Sequence, residues 1–354
     1  MSSSLQLNLA GPMARHRRLA RTASVRVSPL CLGPMTFDEK QKKCYGEITK
    51  DKAFAILDHF YSQGGNLIDT SNVYHFGQSE EWLGEWTTAR GNRDDIILAI
   101  KYSNDARAPD QNIIHSNYGG NNTKSMKYSL ETSYVDIFYV HYWDYATSIE
   151  ELMQFLNDLV RAGKVHYLGI SNVPAWVVTK ANQYARMSGL RPFVVYQGVF
   201  SAALRDVERD IIPMCDHEGM PLVAYGVLNQ GRFQTEVEVR EREKHNPERN
   251  FIPLSEHDKK VSKVLEEVAK RQGTSLFTVA LAYAHAKSPV VIPLVGARKV
   301  EHIQGHIASV AESLTDAEVK EIDSGYPFDH GFPHSFLSGM LFSNEGPHRG
   351  ASTP

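Results

Sequence analysis

The chain has 354 residues, 42% of them hydrophobic and 22% charged, which is enough apolar material for a large core and argues against a disordered chain. Lys and Arg total 38 against 41 acidic residues, and the formal charge of −3 offers no general attraction to nucleic acid or to an anionic membrane. Cys31, Cys44 and Cys215 show no Cys-x-x-Cys spacing, which argues against a disulfide framework or a zinc module, and no apolar run approaches the roughly 20 residues that span a bilayer.

Residues 1–24 read as an N-terminal arm, basic at Arg15, Arg17, Arg18 and Arg21 but without the apolar run of a secretory signal, so a soluble cytoplasmic protein is expected. A short apolar strand over 29–33 opens a βα rhythm. The helix over 51–61 puts Ala53, Ile56, Leu57 and Phe60 on one face, and Gly64 and Gly65 close it before a second strand that ends on Asp69. A helix over 79–89 turns Trp82, Leu83 and Trp86 inward, and a third strand over 96–101 ends on Lys101. The next helix, 124–132, has only about nine residues by its helical pattern, and the fourth strand, 135–140, runs into His141.

The helix over 149–161 carries Leu152, Phe155, Leu156 and Leu159 at helical spacing, and a strand over 167–171 ends on Ser171. Pro174 opens the following helix. A strand over 193–197, a helix over 206–217 and a strand over 221–225 come next. The polar stretch 235–250 reads as an extended surface loop after strand seven, followed by helices over 255–272 and 276–286 and an eighth strand over 289–295. Eight strands alternating with helices at a period of roughly 35 to 40 residues predict an α/β fold, a (β/α)8 TIM barrel over residues 25–326. The N-terminal extension precedes it, and a C-terminal tail, 327–354, carries Phe332, Phe336 and Phe342.

Asp69, Lys101 and His141 would stand at the carboxyl ends of successive strands, where such barrels do chemistry, and Tyr74 follows Asp69 by five residues. The motif Asn66-x-x-Asp69-Thr70-x-x-x-Tyr74 is followed by Gln78-Ser79-Glu80-x-x-x-Gly84, by Tyr139-Val140-His141-Tyr142-Trp143-Asp144 and by Gly296-Ala297-Arg298-Lys299. These motifs resemble the aldo-keto reductase superfamily, and within it the fungal aryl-alcohol dehydrogenase and norsolorinic acid reductase-like branch. Matching residues extend from about 25 to 332, nearly the whole chain.

The chemistry explains why these residue types belong together. Hydride addition to a carbonyl places negative charge on its oxygen, which an acid must quench. A free Tyr, with a pKa of about 10, is a poor proton donor at neutral pH, a nearby cation lowers that pKa, and a carboxylate holds the cation in place. The resemblance therefore implies Tyr74 as general acid, Lys101 as cation, Asp69 as its carboxylate partner and His141 as the donor that orients the substrate oxygen.

The resemblance also implies NADPH/NADP+ as cofactor. Ser171, Asn172 and Gln197 match positions that hold the nicotinamide carboxamide, and Tyr225 matches a residue flanking the ring. Gly226, Val227 and Leu228, with Gly231 and Arg232 beyond them, match the loop around the pyrophosphate. Gly296 and Arg298 match the 2′-phosphate turn, where a guanidinium can fork onto the phosphate. Two places depart from the family pattern. His302 and His306 replace the usual Gln or Glu and then Asn, on one helix face, so an altered adenine pocket, a weaker metal pair or a simple exchange of imidazole for amide are all open. The short helix before the fourth strand lacks about two turns that relatives carry, which predicts lower stability.

The leading function is an NADPH-dependent reductase of an aromatic or polycyclic carbonyl, an aldehyde or polyketide-type ketone, in fungal secondary metabolism. A nicotinamide-binding regulatory subunit like the potassium-channel β proteins is the alternative, and a metal-dependent hydrolase is disfavoured for want of a histidine cluster. Phe37, Tyr102, Tyr142 and Trp143 are candidates to line an aromatic pocket. No metal, nucleic-acid or membrane partner is expected.

Overall fold

A computed structural model describes residues 5–37, 39, 48–105, 107–128, 134–245, 254–288 and 290–335. Eight parallel strands close into a barrel in the order β10-β3-β4-β5-β6-β7-β8-β9. They are β3 (Cys31–Leu32), β4 (Leu67–Asp69), β5 (Ile97–Tyr102), β6 (Val135–Val140), β7 (Val165–Ser171), β8 (Phe193–Val199), β9 (Leu222–Tyr225) and β10 (Val291–Val295). The expected (β/α)8 barrel is what the chain forms, with strand ends within two residues of those read from the sequence.

The barrel rests below on a feature the sequence did not announce. β1 (Arg17–Ala20) and β2 (Ala23–Val27) pair as an antiparallel hairpin, which a boundary at residue 25 would cut through. Leu19, Ala20, Ala23 and Val27 join Cys31, Leu67, Ile97, Ala99, Ile137, Tyr139, Val195, Val223 and Ile292 in one apolar cluster. That cluster is the barrel interior, which the hairpin closes, and the Arg17 guanidinium fastens it by donating to the Val291 carbonyl at 2.8 Å.

Side-chain alternation along each strand then fixes what stands above this plug. On β4 the inward position after Leu67 is Asp69; on β5 the series Ile97, Ala99 leads to Lys101; on β6 the series Ile137, Tyr139 leads to His141, just past the strand. The alternate residues Ile68, Ile100, Phe138 and Val140 pack outward in the larger cluster under the helices. One close approach needs glycine: a Cβ on Gly169 of β7 would sit 2.5 Å from the Tyr139 ring.

The helices are α1 (Lys50–Ser62), α2 (Gln78–Arg90), α3 (Thr123–Tyr128), α4 (Ile149–Arg161), α5 (Ala175–Met187), α6 (Ile211–Glu218), α7 (Glu236–His245), α8 (Glu256–Gln272), α9 (Leu276–Lys287), α10 (Val300–Ser309) and α11 (Asp316–Gly325). α1 ends at Ser62 through Gln63, with Gly64 taking φ 92 beyond it. The single helix expected over 206–217 is instead a short 3-10 turn, Asp206–Glu208, and α6, which places Pro213 in its first turn where no backbone donor is missed.

Helix α7 corrects the expected loop over 235–250. Its sequence has no apolar stripe, but exposed pairs such as Arg240 with Glu236 at 3.5 Å and Lys244 with Glu241 at 3.0 Å run along it; residues 246–250 lie outside the described set. α3 is described over Thr123–Tyr128, and residues 129–133, on which the expected length of this helix falls, lie outside the described set. Of the C-terminal tail, the described part is tied to the loop leaving β8. Arg205 donates to the Tyr326 carbonyl at 3.1 Å, Arg209 to those of His330 and Asp329 at 3.0 Å, and both guanidinium groups lie over Phe328. Phe332 is 82% exposed, while Phe336 and Phe342 lie outside the described residues.

Candidate active site

At the carboxyl end of the barrel the four residues singled out by the sequence come together. Lys101 and Asp69 are 1% and 2% exposed, and the Lys101 ammonium bonds directly to Asp69 Oδ1. It also donates to the Thr70 carbonyl at 2.8 Å. The second Asp69 oxygen accepts from Gln197 Nε2 at 3.0 Å, so both are engaged. The ammonium lies 5.2 Å from the centre of the Tyr74 ring, and the His141 ring meets that phenol edge to face at 6.3 Å.

The electrostatics follow from this burial. Burial by itself pulls Lys101 down, but Asp69 and Tyr74 outweigh it and hold the ammonium above its ordinary pKa, so it is a cation at any physiological pH. Burial, helped by Lys101, takes His141 down to about 3, so its imidazole is neutral. Burial and then the Tyr74 phenol push Tyr225 up. Glu80, which entered the sequence argument only as part of a motif, is a further titratable group here: burial raises its carboxyl to about 7 against the pull of Lys101.

Tyr74 sits at the head of a strained turn that no sequence pattern revealed. His75 and Phe76 both take left-handed backbone angles, φ 53 and φ 57, and Gly77 follows at φ 87. Each left-handed non-glycine residue costs about 1–2 kcal/mol, so the turn persists only because its surroundings fix it. The buried His75 supplies one such restraint, its Nε2 donating to the Met35 carbonyl, and Phe76 is left 52% exposed.

Around this centre stand the residues assigned to cofactor binding. Ser171 ends β7 with its hydroxyl fully buried and unpartnered. Asn172, at φ 52, donates to the His141 carbonyl at 3.1 Å and accepts from the Tyr225 hydroxyl at 2.9 Å. Gln197 instead spends an amide hydrogen on Asp69, a role the sequence did not indicate. Beyond β9, Gly226 (φ 73) and buried Val227 lead through Leu228 into a turn where Asn229, Gln230 and Gly231 are all left-handed. Arg232 holds that turn, donating to the Asn229 carbonyl at 3.1 Å and to its side chain at 2.5 Å.

At the remaining edge, the Arg298 Nε is buried and unpartnered. The two histidines that depart from the family pattern brace this turn: His302 Nδ1 accepts from the Arg298 backbone N–H at 3.5 Å, and His306 Nε2 reaches the Gly296 carbonyl at 3.3 Å. Each histidine thus commits one ring nitrogen to a backbone group of this turn. Of the aromatic candidates, Phe37 and Tyr102 are fully buried, Tyr102 stacked on Phe138 at 5.0 Å, so both belong to the core and not to a pocket. Tyr142 and Trp143 are partly exposed, with the Tyr142 hydroxyl bonded to the Ser103 carbonyl at 3.0 Å.

The buried histidines carry a stability consequence. His141 is held at about 3, and His285 and His306 at about 4, in each case chiefly by burial. These values lie below the 6.5 of an unfolded chain, so between pH 6.5 and about 4 unfolding binds protons that the fold refuses. The histidine contribution is therefore full above pH 6.5 and falls as pH drops, by up to about 1.4 kcal/mol per pH unit for each, and the three together outweigh the single Glu80, whose raised carboxyl acts in the opposite sense. Urea unfolding at pH 7 and pH 5 should show the decline, and equal free energies would refute it.

A parallel barrel with a buried lysine–carboxylate pair beneath a tyrosine and a histidine is a class of oxidoreductase site, and comparison with known proteins agrees. The Aldo/keto reductase family model matches residues 29–326, and the chain belongs to that family. It is 58% identical to norsolorinic acid reductase B of Aspergillus parasiticus over 351 residues, 97% of this chain and 92% of that one. It is 48% identical to an aryl-alcohol dehydrogenase of Pestalotiopsis microspora, covering 93% and 87% of the two chains. Against the aryl-alcohol dehydrogenase (NADP+) of Phanerodontia chrysosporium the identity is 45%, with coverage of 91% and 88%. No described helix is long and apolar enough to cross a membrane.

Proposed function

We propose that this oxidoreductase uses NADPH to reduce an aromatic aldehyde or a polyketide-type ketone to the alcohol, in the cytoplasm and within fungal secondary metabolism. The observation that carries the reading is the buried Lys101 cation, held by Asp69 and lying against the Tyr74 ring. The substrate class rests on the names of the relatives, norsolorinic acid reductase and aryl-alcohol dehydrogenase.

The mechanism follows from what each side chain can do. Tyr74 gives its hydroxyl proton to the carbonyl oxygen as charge develops there, and the Lys101 ammonium stabilises the phenolate left behind. Asp69, itself fixed by Gln197, keeps Lys101 charged and in place. His141, neutral in this site, donates an imidazole N–H to the same oxygen and orients it. A reduced nicotinamide, when bound, supplies the hydride.

The residues present fit such a cofactor. The orphaned hydroxyl of Ser171 and the amide of Asn172 suit a carboxamide, and Tyr225 stands beside them to flank a ring. The left-handed turn after Gly226 exposes backbone of the kind that wraps a pyrophosphate. Arg298, with a buried nitrogen lacking a partner, suits a 2′-phosphate. Arg298→Ala should therefore raise the NADPH dissociation constant by at least roughly tenfold and leave that of NADH nearly unchanged, as read by fluorescence titration; a charge-assisted hydrogen bond is worth about 1.5–3 kcal/mol. Equal losses for both would remove the assignment. The function itself is tested by NADPH oxidation against a panel of aryl aldehydes and polycyclic ketones, where binding without turnover would favour a regulatory role.

A further inference from the structure

We propose that Asn104 is a positioning residue that fixes which nitrogen of His141 carries the proton. Asn104 lies in the loop leaving β5, three residues past Lys101, and its Nδ2 is 2.9 Å from His141 Nδ1. An amide NH2 can only donate, so Nδ1 must offer its lone pair. The ring is neutral because burial and Lys101 oppose its protonation. Its single proton therefore sits on Nε2, and the imidazole presents an N–H, not a lone pair, on its other edge.

The surroundings of Asn104 are built to hold this contact. Ser103 takes φ 109, a rare angle for a residue with a side chain, and turns the chain out of β5 so that Asn104 meets His141. That turn is fixed from several sides. The Ser103 carbonyl accepts from the Gly120 N–H at 2.7 Å and the Tyr142 hydroxyl at 3.0 Å, and its hydroxyl accepts from Asn121 at 2.8 Å. The Asn104 carbonyl accepts from Asn72 at 3.4 Å. His141 is fixed in its own backbone, its N–H on the Tyr102 carbonyl at 3.0 Å and its carbonyl on Asn172 at 3.1 Å. The other neighbour of Nδ1, the Ser71 hydroxyl at 3.4 Å, has alternative acceptors in Asn72 Oδ1 at 3.3 Å and the Lys101 carbonyl at 3.5 Å, so it does not impose the opposite tautomer.

A strained turn thus delivers a donor to the inner nitrogen of a neutral histidine. The kinetic consequence rests on the reductase reading; the tautomer does not. With the proton on Nε2, His141 can donate to a carbonyl oxygen, whereas the opposite tautomer would set lone pair against lone pair.

Asn104→Asp is the discriminating variant, because its carboxylate would accept from Nδ1–H and draw the proton inward. The titratable groups facing the ring are Lys101 from β5, Tyr74 from the turn after β4 and Tyr142 beside it. Of these, Lys101 is the charged one at neutral pH and opposes protonation, while the carboxylate introduced by the substitution would favour it. In the full-length protein, long-range proton–nitrogen spectra should show His141 protonated at Nε2, the resonance being identified by its loss in His141→Gln. Asn104→Asp should move that proton to Nδ1 and lower kcat roughly 10²-fold with the KM for NADPH unchanged. Part of the lost rate should return as pH falls, because an imidazolium donates from both nitrogens. A wild-type proton on Nδ1 overturns the proposal whatever the variant does. So does a variant whose tautomer and pH profile match those of the wild type. If the wild type turned over no carbonyl, the reductase reading would fail while the spectra still decided the tautomer.

Discussion

Tyr74→Phe should abolish carbonyl reduction, lowering kcat by about 10²–10⁴-fold, the usual contribution of a positioned proton donor, while the NADPH dissociation constant stays as it was. The substitution removes one oxygen from a ring that meets His141 edge to face and lies against Lys101, so the packing partners remain. The strained turn that follows Tyr74 is set by His75, Phe76 and Gly77 and should survive. Steady-state kinetics with an aryl aldehyde, paired with a cofactor titration, read the two effects separately. Retained turnover would show that another group delivers the proton, and Glu80, with its carboxyl near 7, would be the next to test.

Lys101→Met should be the more damaging change, because it strikes function and stability together. The lysine is 1% exposed, and its removal leaves Asp69 buried with only Gln197 on one oxygen. Breaking a buried ion pair from one side typically costs about 3–5 kcal/mol, since an uncompensated charge remains. Denaturant unfolding should show a loss of that order, and activity should disappear with the cation that favours the phenolate. Adding Asp69→Asn to Lys101→Met should restore much of the stability and none of the activity. A double variant no more stable than the single one would mean that the cost lies in packing.

The parts of this site that were legible in the sequence are those governed by local rules. Apolar runs of fixed length located the strands, and their carboxyl ends placed Asp69, Lys101 and His141 together on one rim. What escaped depends on contacts far apart in the chain or on backbone angles that residue types do not announce. Gln197 reaches Asp69 across 128 positions, and Asn104 meets His141 across 37. The hairpin under the barrel is made of short strands broken by arginines, and α7 has no apolar stripe, so neither shows a period. His75 and Phe76 adopt conformations that their identities disfavour, which only the folded surroundings explain. Phe37 and Tyr102 show the converse error: an aromatic next to a strand end looks the same in sequence whether it lines a pocket or fills the core.

Stoichiometry of reduction by the purified chain separates catalysis from binding alone. With NADPH and a polycyclic aromatic ketone, one alcohol should form for each NADPH consumed, identified by mass, and none with Tyr74→Phe. Tight NADPH binding without alcohol from any carbonyl in the panel would contradict the reductase reading.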